Sequence, residues 1–111
     1  MATIDVNGTS VEVTDEGYLV DGTNWSEDFA KATAIVDSIE FTDQHMDILV
    51  YLRDEHAKGE EPNERTIIKA MKTVWGKKPT SKLMYNLFPG TPSKQGRKLA
   101  GLPKSNRKGG Y

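Results

Sequence analysis

Helix breakers constrain this chain more than any other feature. They fall at Lys58-Gly59, Gly76-Lys77-Lys78-Pro79, Pro89-Gly90 and Gly101-Leu102-Pro103. Glycine can end a helix without a Cβ penalty, and proline cannot continue one. Between the breaks, apolar residues recur at helical spacing, so the chain from Trp25 onward reads as a succession of short helices. Ser26 caps the first, followed by Glu27 and Asp28, which suit a helix N-terminus; its apolar face is Phe29, Ala30, Ala32, Thr33 and Val36. Thr42 caps the second, with Phe41, Met46, Leu49, Val50 and Leu52 inward. Asn63 caps the third after the loop Glu60-Glu61-Pro62, and Ile67, Ile68, Met71, Val74 and Trp75 form its stripe. The fourth runs from Ser81 to Phe88 with Leu83, Met84, Leu87 and Phe88 inward. The fifth starts at Thr91-Pro92, because proline suits the first helical position.

Ahead of the helices, Ile4 and Val6, then Val11 and Val13, alternate with polar residues around Asn7-Gly8. Asn-Gly between alternating strands predicts a β-hairpin, since both residues tolerate positive φ. The fold class is therefore mainly α, with about five helices and an N-terminal hairpin. At 111 residues the chain is expected to form one domain, 1–111, with a modest core. Residues 101–111 read as its flexible C-terminal arm, because Ser105 to Tyr111 offers little to bury. No stretch approaches the roughly 20 apolar residues of a membrane span. The start Met1-Ala2-Thr3-Ile4-Asp5 has no signal-like basic and apolar regions, so the expected location is cytoplasmic.

Charge is sharply divided along the chain. All sixteen acidic residues lie between Asp5 and Glu64, among only three basic ones, Lys31, Arg53 and Lys58. From Arg65 to Tyr111 there are twelve Lys or Arg and no acid. The halves thus carry −13 and +12, although the net charge is −1. Charged helix faces are mostly solvated, which favours complementary halves over a dedicated anionic partner.

Residues suited to chemistry are sparse. The absence of cysteine excludes disulfides and thiol chemistry on this polypeptide. His45 and His56 share one helix but stand about 16 Å apart along it, too far to hold one metal ion. Both read as surface or boundary histidines. No metal or cofactor is expected, and no nucleophile-elbow or phosphate-loop pattern occurs. Trp25 and Trp75 read as packing residues at helix ends.

The run Phe88-Pro89-Gly90-Thr91-Pro92-Ser93-Lys94-Gln95-Gly96-Arg97-Lys98-Leu99-Ala100-Gly101-Leu102-Pro103-Lys104 resembles the C-terminal segment of the DsrC/TusE family. Ile4-Asp5-Val6-Asn7-Gly8, Asp15-Glu16-Gly17-Tyr18-Leu19-Val20, Trp25 and Tyr85-Asn86-Leu87 also match the family's pattern. The resemblance implies an orthogonal helical bundle with a hairpin and a C-terminal arm. It also implies sulfur metabolism, either beside dissimilatory sulfite reductase or in a sulfur relay. Sulfur-carrying members of the family place a nucleophilic cysteine near the chain end, and some add a second one eleven residues upstream. On this chain those positions fall at Lys108 and Arg97. Holding and passing on a sulfur atom needs a thiolate, which neither cationic side chain supplies. The tail also departs from the family by running on to Gly109-Gly110-Tyr111.

The expectation is a non-enzymatic protein that binds or modulates a sulfite reductase, a sulfurtransferase or a sulfur-relay component. Arg97 and Lys108 would serve as electrostatic anchors on the arm. The basic surface expected around them comprises Lys77, Lys78, Lys82, Lys94, Lys98, Lys104 and Arg107. One alternative is a nucleic-acid-binding regulator, with the third and fourth helices forming a helix-turn-helix-like pair. Another is a relay subunit whose thiol comes from a partner.

Overall fold

The computed structural model describes residues 2–104. Strands β1 (Ala2–Val6) and β2 (Thr9–Val13) pair antiparallel, with Ile4 opposite Val11 and Val6 opposite Thr9. The turn between them places Asn7 at φ 52° and Gly8 at φ 87°, the left-handed geometry that a tight hairpin needs. Leu19 extends the ribbon by a single bridge to Val13. The hairpin's apolar face, with Val13 and Leu19 buried, packs on Phe29 and Trp25 as a small core of its own.

Five helices follow: α1 (Glu27–Val36), α2 (Asp43–Ala57), α3 (Glu64–Trp75), α4 (Ser81–Leu87) and α5 (Pro92–Leu99). The caps explain where they start. Ser26 accepts from the Phe29 amide, Asn63 from the Thr66 amide and Thr80 from the Leu83 amide. Gly76, at φ 72°, ends α3 in the left-handed conformation. Helices this short gain most of their stability from packing rather than propensity. Here they converge on one core that includes Ile48, Leu52, Ile67, Met71, Met84 and Leu99. Helix α5 touches each of the other four helices, and α1 also packs on β1. Among the described residues, no helix is long and apolar enough to cross a membrane.

Three valines depart from the expected pattern. Val36 is 68% exposed, Val50 46% and Val74 57%. In α1 the inward face runs through Ala34 instead, and in α2 it runs through Ile48. Periodicity finds an apolar stripe but not its edges, and these valines sit at the edges.

His45 is a larger correction, because it is a core residue rather than a boundary one. Its ring stacks on Phe41 at 5.6 Å and meets the edge of Phe88 at 5.0 Å. Nε2 lies 2.8 Å from the Leu87 carbonyl, so this nitrogen carries the proton and donates. Nδ1 then accepts from the Thr42 amide at 3.0 Å, at the head of α2. One neutral imidazole thus joins the start of α2 to the end of α4.

Burial lowers the His45 pKa below its usual 6.5, against a smaller upward pull from the Leu87 carbonyl. Above pH 6.5 the ring is neutral in both the folded and unfolded states, and its contribution is fully present. As pH falls below 6.5 the unfolded chain takes up the proton first, so stability declines until the folded ring also titrates. His45→Gln should lose about 1–3 kcal/mol at pH 7 through unmade buried hydrogen bonds. The gap to wild type should narrow towards pH 5, as read by urea denaturation across that range. A gap independent of pH would show that the imidazole is not the titrating element.

Candidate functional site

The site forms where α5 hands the chain on to its C-terminal segment. Thr91, at φ 94°, sets the angle of entry, and Pro92 opens the helix. Two side chains fasten α5 to the end of α1. Gln95 accepts from the Gly90 amide at 2.8 Å and donates to Asp37 at 3.1 Å. Lys98 pairs with Asp37 at 2.7 Å, with both side chains mostly sheltered. On the opposite side, Gly96 faces Leu52, whose Cδ1 would lie 2.8 Å from any added Cβ. A side chain at position 96 would require Leu52 to shift.

The chain then reverses at Gly101, where φ is 71°. The Leu102 amide donates to the Arg97 carbonyl at 3.0 Å and the Gly101 amide to the Lys98 carbonyl at 3.3 Å. This is a Schellman ending, for which glycine is the natural residue. Steric limits add to the requirement, because a Cβ on Gly101 would sit 2.3 Å from Trp25 Cδ1. Trp25 Nε1 donates to the Leu99 carbonyl at 2.9 Å. Arg53 Nη1 donates to the Ala100 carbonyl at 2.7 Å, with its guanidinium 4.1 Å from the Trp25 ring centroid. The last carbonyls of α5 are thus satisfied by residues far away in sequence.

Arg97 lies inside this turn. Only 4% exposed, its Nε donates to the Pro103 carbonyl at 2.9 Å. Lys104 next forms an exposed ion pair with Glu16 at 2.9 Å. Tyr18, beside both cations, has its pKa raised by burial and then by Glu16, with Lys104 and Arg97 pulling it down. Residues 101–104 are therefore seated against the loop that leads out of the hairpin.

This changes the expected assignments. Arg97 belongs to α5 and is buried, its Nε bonded to the Pro103 carbonyl, rather than displayed on an exposed arm. Lys98 is engaged with Asp37 and is not free basic surface. Gly101 and Leu102 are buried, so the first residues assigned to the arm are part of the body. Lys77, Lys78, Lys82 and Lys94 are exposed as expected. Arg107 and Lys108, with the rest of the arm from 105 to 111, lie outside the described residues. Lys78 joins Arg65, Lys69 and Lys72 along a groove of about 1190 Å³ between α3 and the start of α4. Glu64 also lines it and accepts a hydrogen bond from Tyr85 at 2.9 Å. The roles of Asp37, Gln95 and Arg53 were not legible in the sequence. Each acts through a partner 47 to 61 positions away, a separation at which no local pattern exists.

Chemically, the site's cationic and indole groups are engaged with the chain's own carbonyls and carboxylates. The site holds no thiol, and both ring nitrogens of His45 are engaged, Nε2 with the Leu87 carbonyl and Nδ1 with the Thr42 amide and hydroxyl. Among the described residues, no group of three or more His, Asp or Glu side chains converges to hold a metal ion.

Residues 5–107 match the model of the family described as DsrC like protein. A curated relative, the sulfurtransferase TusE homolog of Haemophilus influenzae, is 41% identical over 103 residues, covering 91% of this chain and 94% of that protein. Sulfurtransferase TusE of Escherichia coli is 36% identical, covering 87% of this chain and 91% of its own. Among solved structures, DsrC of Allochromatium vinosum superposes with a TM-score of 0.84 at 37% identity, over 96% of each chain. The oxidized gamma-subunit of dissimilatory sulfite reductase from Archaeoglobus fulgidus gives 0.83 at 32% identity, over 95% of this chain and 97% of its own.

If Arg97 tethers the C-terminal segment, Arg97→Ala should cost roughly 2–4 kcal/mol, as expected for breaking buried charge-assisted contacts. It should also speed tryptic cleavage after Lys104. Glu16→Gln, which breaks only a solvated ion pair, should leave stability near wild type. Equal effects from the two substitutions, in denaturation and limited proteolysis, would refute the tether.

Proposed function

The chain belongs to the DsrC-like protein family, and on that premise we propose that it is a non-enzymatic member, one that binds or modulates a sulfite reductase or sulfur-relay partner without carrying sulfur itself. One observation carries this reading. The scaffold extends over nearly the whole chain, yet Arg97 stands where the family resemblance places the upstream cysteine, buried and bonded to the Pro103 carbonyl. A guanidinium is permanently protonated and is no sulfur nucleophile. A buried arginine there fixes the base of the C-terminal segment, and the chain has no thiol to exchange. What such a protein retains is shape, a surface and a seated C-terminal segment.

TusE relatives are named sulfurtransferases, and a structural neighbour is a sulfite reductase gamma-subunit. Those names suggest the two classes of partner to test. A cysteine-less member could occupy a partner's docking site in place of a thiol-bearing relative. The alternative in which a partner supplies the thiol shares this docking step and differs only in what happens afterwards.

A second reading, a nucleic-acid-binding regulator, is favoured only by the groove between α3 and α4, where Arg65, Lys69, Lys72 and Lys78 converge. Glu64 in the same groove works against phosphate binding. Phosphate-driven binding would weaken steeply with rising salt.

The test pairs two measurements on the full chain. Titration calorimetry with purified sulfite reductase, and separately with a sulfurtransferase, should give saturable binding to one of them. Mass spectrometry after incubation with a persulfide donor should show no stable adduct of about 32 Da, the mass added by one persulfide sulfur. A reproducible adduct would overturn the non-carrier reading. Binding to neither protein, together with saturable, salt-sensitive binding to duplex DNA, would replace it with the second.

A further inference from the structure

A cavity of about 300 Å³ opens where the last turns of α2 meet Gly22 and the Gly101–Pro103 segment. Arg53 and His56 both line it. They stand three positions apart on α2, so their side chains share one face. The rest of the wall comes from Leu19, Val20, Leu102, Pro103 and the two glycines. No acidic side chain lines the cavity.

The electrostatic state of Arg53 makes this cavity notable. The residue is half-buried. Its two contacts, the Ala100 carbonyl and the Trp25 ring, use one of five N–H donors and bring no opposite charge. Among the described residues no carboxylate lies within ion-pair distance of it. Lys98, similarly sheltered, has Asp37. A charge withdrawn from water without a counter-ion is costly, and the apolar walls strengthen any pairing made there.

We propose that this cavity binds a small oxyanion of sulfate or sulfite size, held by the Arg53 guanidinium fork with His56 as a second donor. The planar fork matches two oxygens of such an anion in a bidentate pair. The volume of about 300 Å³, open to solvent on one side, suits a small anion with its water. Because Gly101 to Pro103 form one wall, an occupant would brace the segment that Arg97 tethers. The site does not depend on the identity of the protein partner.

The test is a ¹⁵N NMR titration of the full chain with sodium sulfate and, separately, sodium sulfite. Sodium chloride holds ionic strength constant, and sodium acetate is the carboxylate control. Saturable shifts should cluster at Gly22, Arg53, His56, Gly101 and Leu102. Arg53→Lys keeps the charge but loses the fork, and should weaken binding about tenfold or more. His56→Gln, at an exposed position that does not endanger the fold, should weaken it about threefold, a factor close to one neutral hydrogen bond. Linear shifts spread over Lys77, Lys82 and Lys94, or unchanged affinity in both variants, would overturn the site. Acetate binding as tightly as sulfate would overturn the oxyanion assignment.

Discussion

Helix α5 is the keystone of this molecule, although its sequence advertises little of that. It is short and strongly polar, yet it contacts every other helix. It can do so because each of its faces is matched to a different neighbour. Gly96 lets α2 approach until Leu52 touches backbone. Gln95 and Lys98 meet Asp37 at the end of α1, Leu99 enters the core, and Arg97 turns back to hold Pro103. A helix of eight residues has no stability of its own in water. It exists here because distant residues satisfy its polar groups and surround its few apolar ones.

The same arrangement explains the character of the candidate site. Trp25, Arg53 and Arg97 come from three separate parts of the chain and all bind backbone carbonyls between Leu99 and Pro103. Residues 101–104 are therefore held in a fixed position against the body. Arg97, itself buried, is part of that fixation. A permanently charged guanidinium must be bonded where it is buried, as Arg97 is here to the Pro103 carbonyl. The net effect is a scaffold whose C-terminal segment is set by hydrogen bonds and packing.

Much of the architecture was legible before any coordinates. The Asn7-Gly8 turn, the Ser26, Asn63 and Ser81 starts and the Gly76 stop are local signals, read from neighbours within a few positions. They succeed because a cap or a turn is decided by backbone geometry over one helical turn. The failures are equally instructive. Val36, Val50 and Val74 are apolar and correctly spaced, yet they face solvent because no element covers that edge. His45 looked like a polar residue on a surface helix, and its burial depends on the Leu87 carbonyl 42 positions away.

The charged residues draw the same line more sharply. Sequence alone determined that acids and bases occupy opposite halves, that no thiol is available, and that the chain shares its family's scaffold. It could not determine which cations are committed. Arg97 and Lys98 lie only three and four positions after Lys94, yet Lys94 is solvated while they are engaged inside the fold. Whether a charge faces water or a partner is a property of where distant segments come to rest. Tertiary packing alone decided it, because a buried charge is tolerated only where another part of the chain supplies its partners.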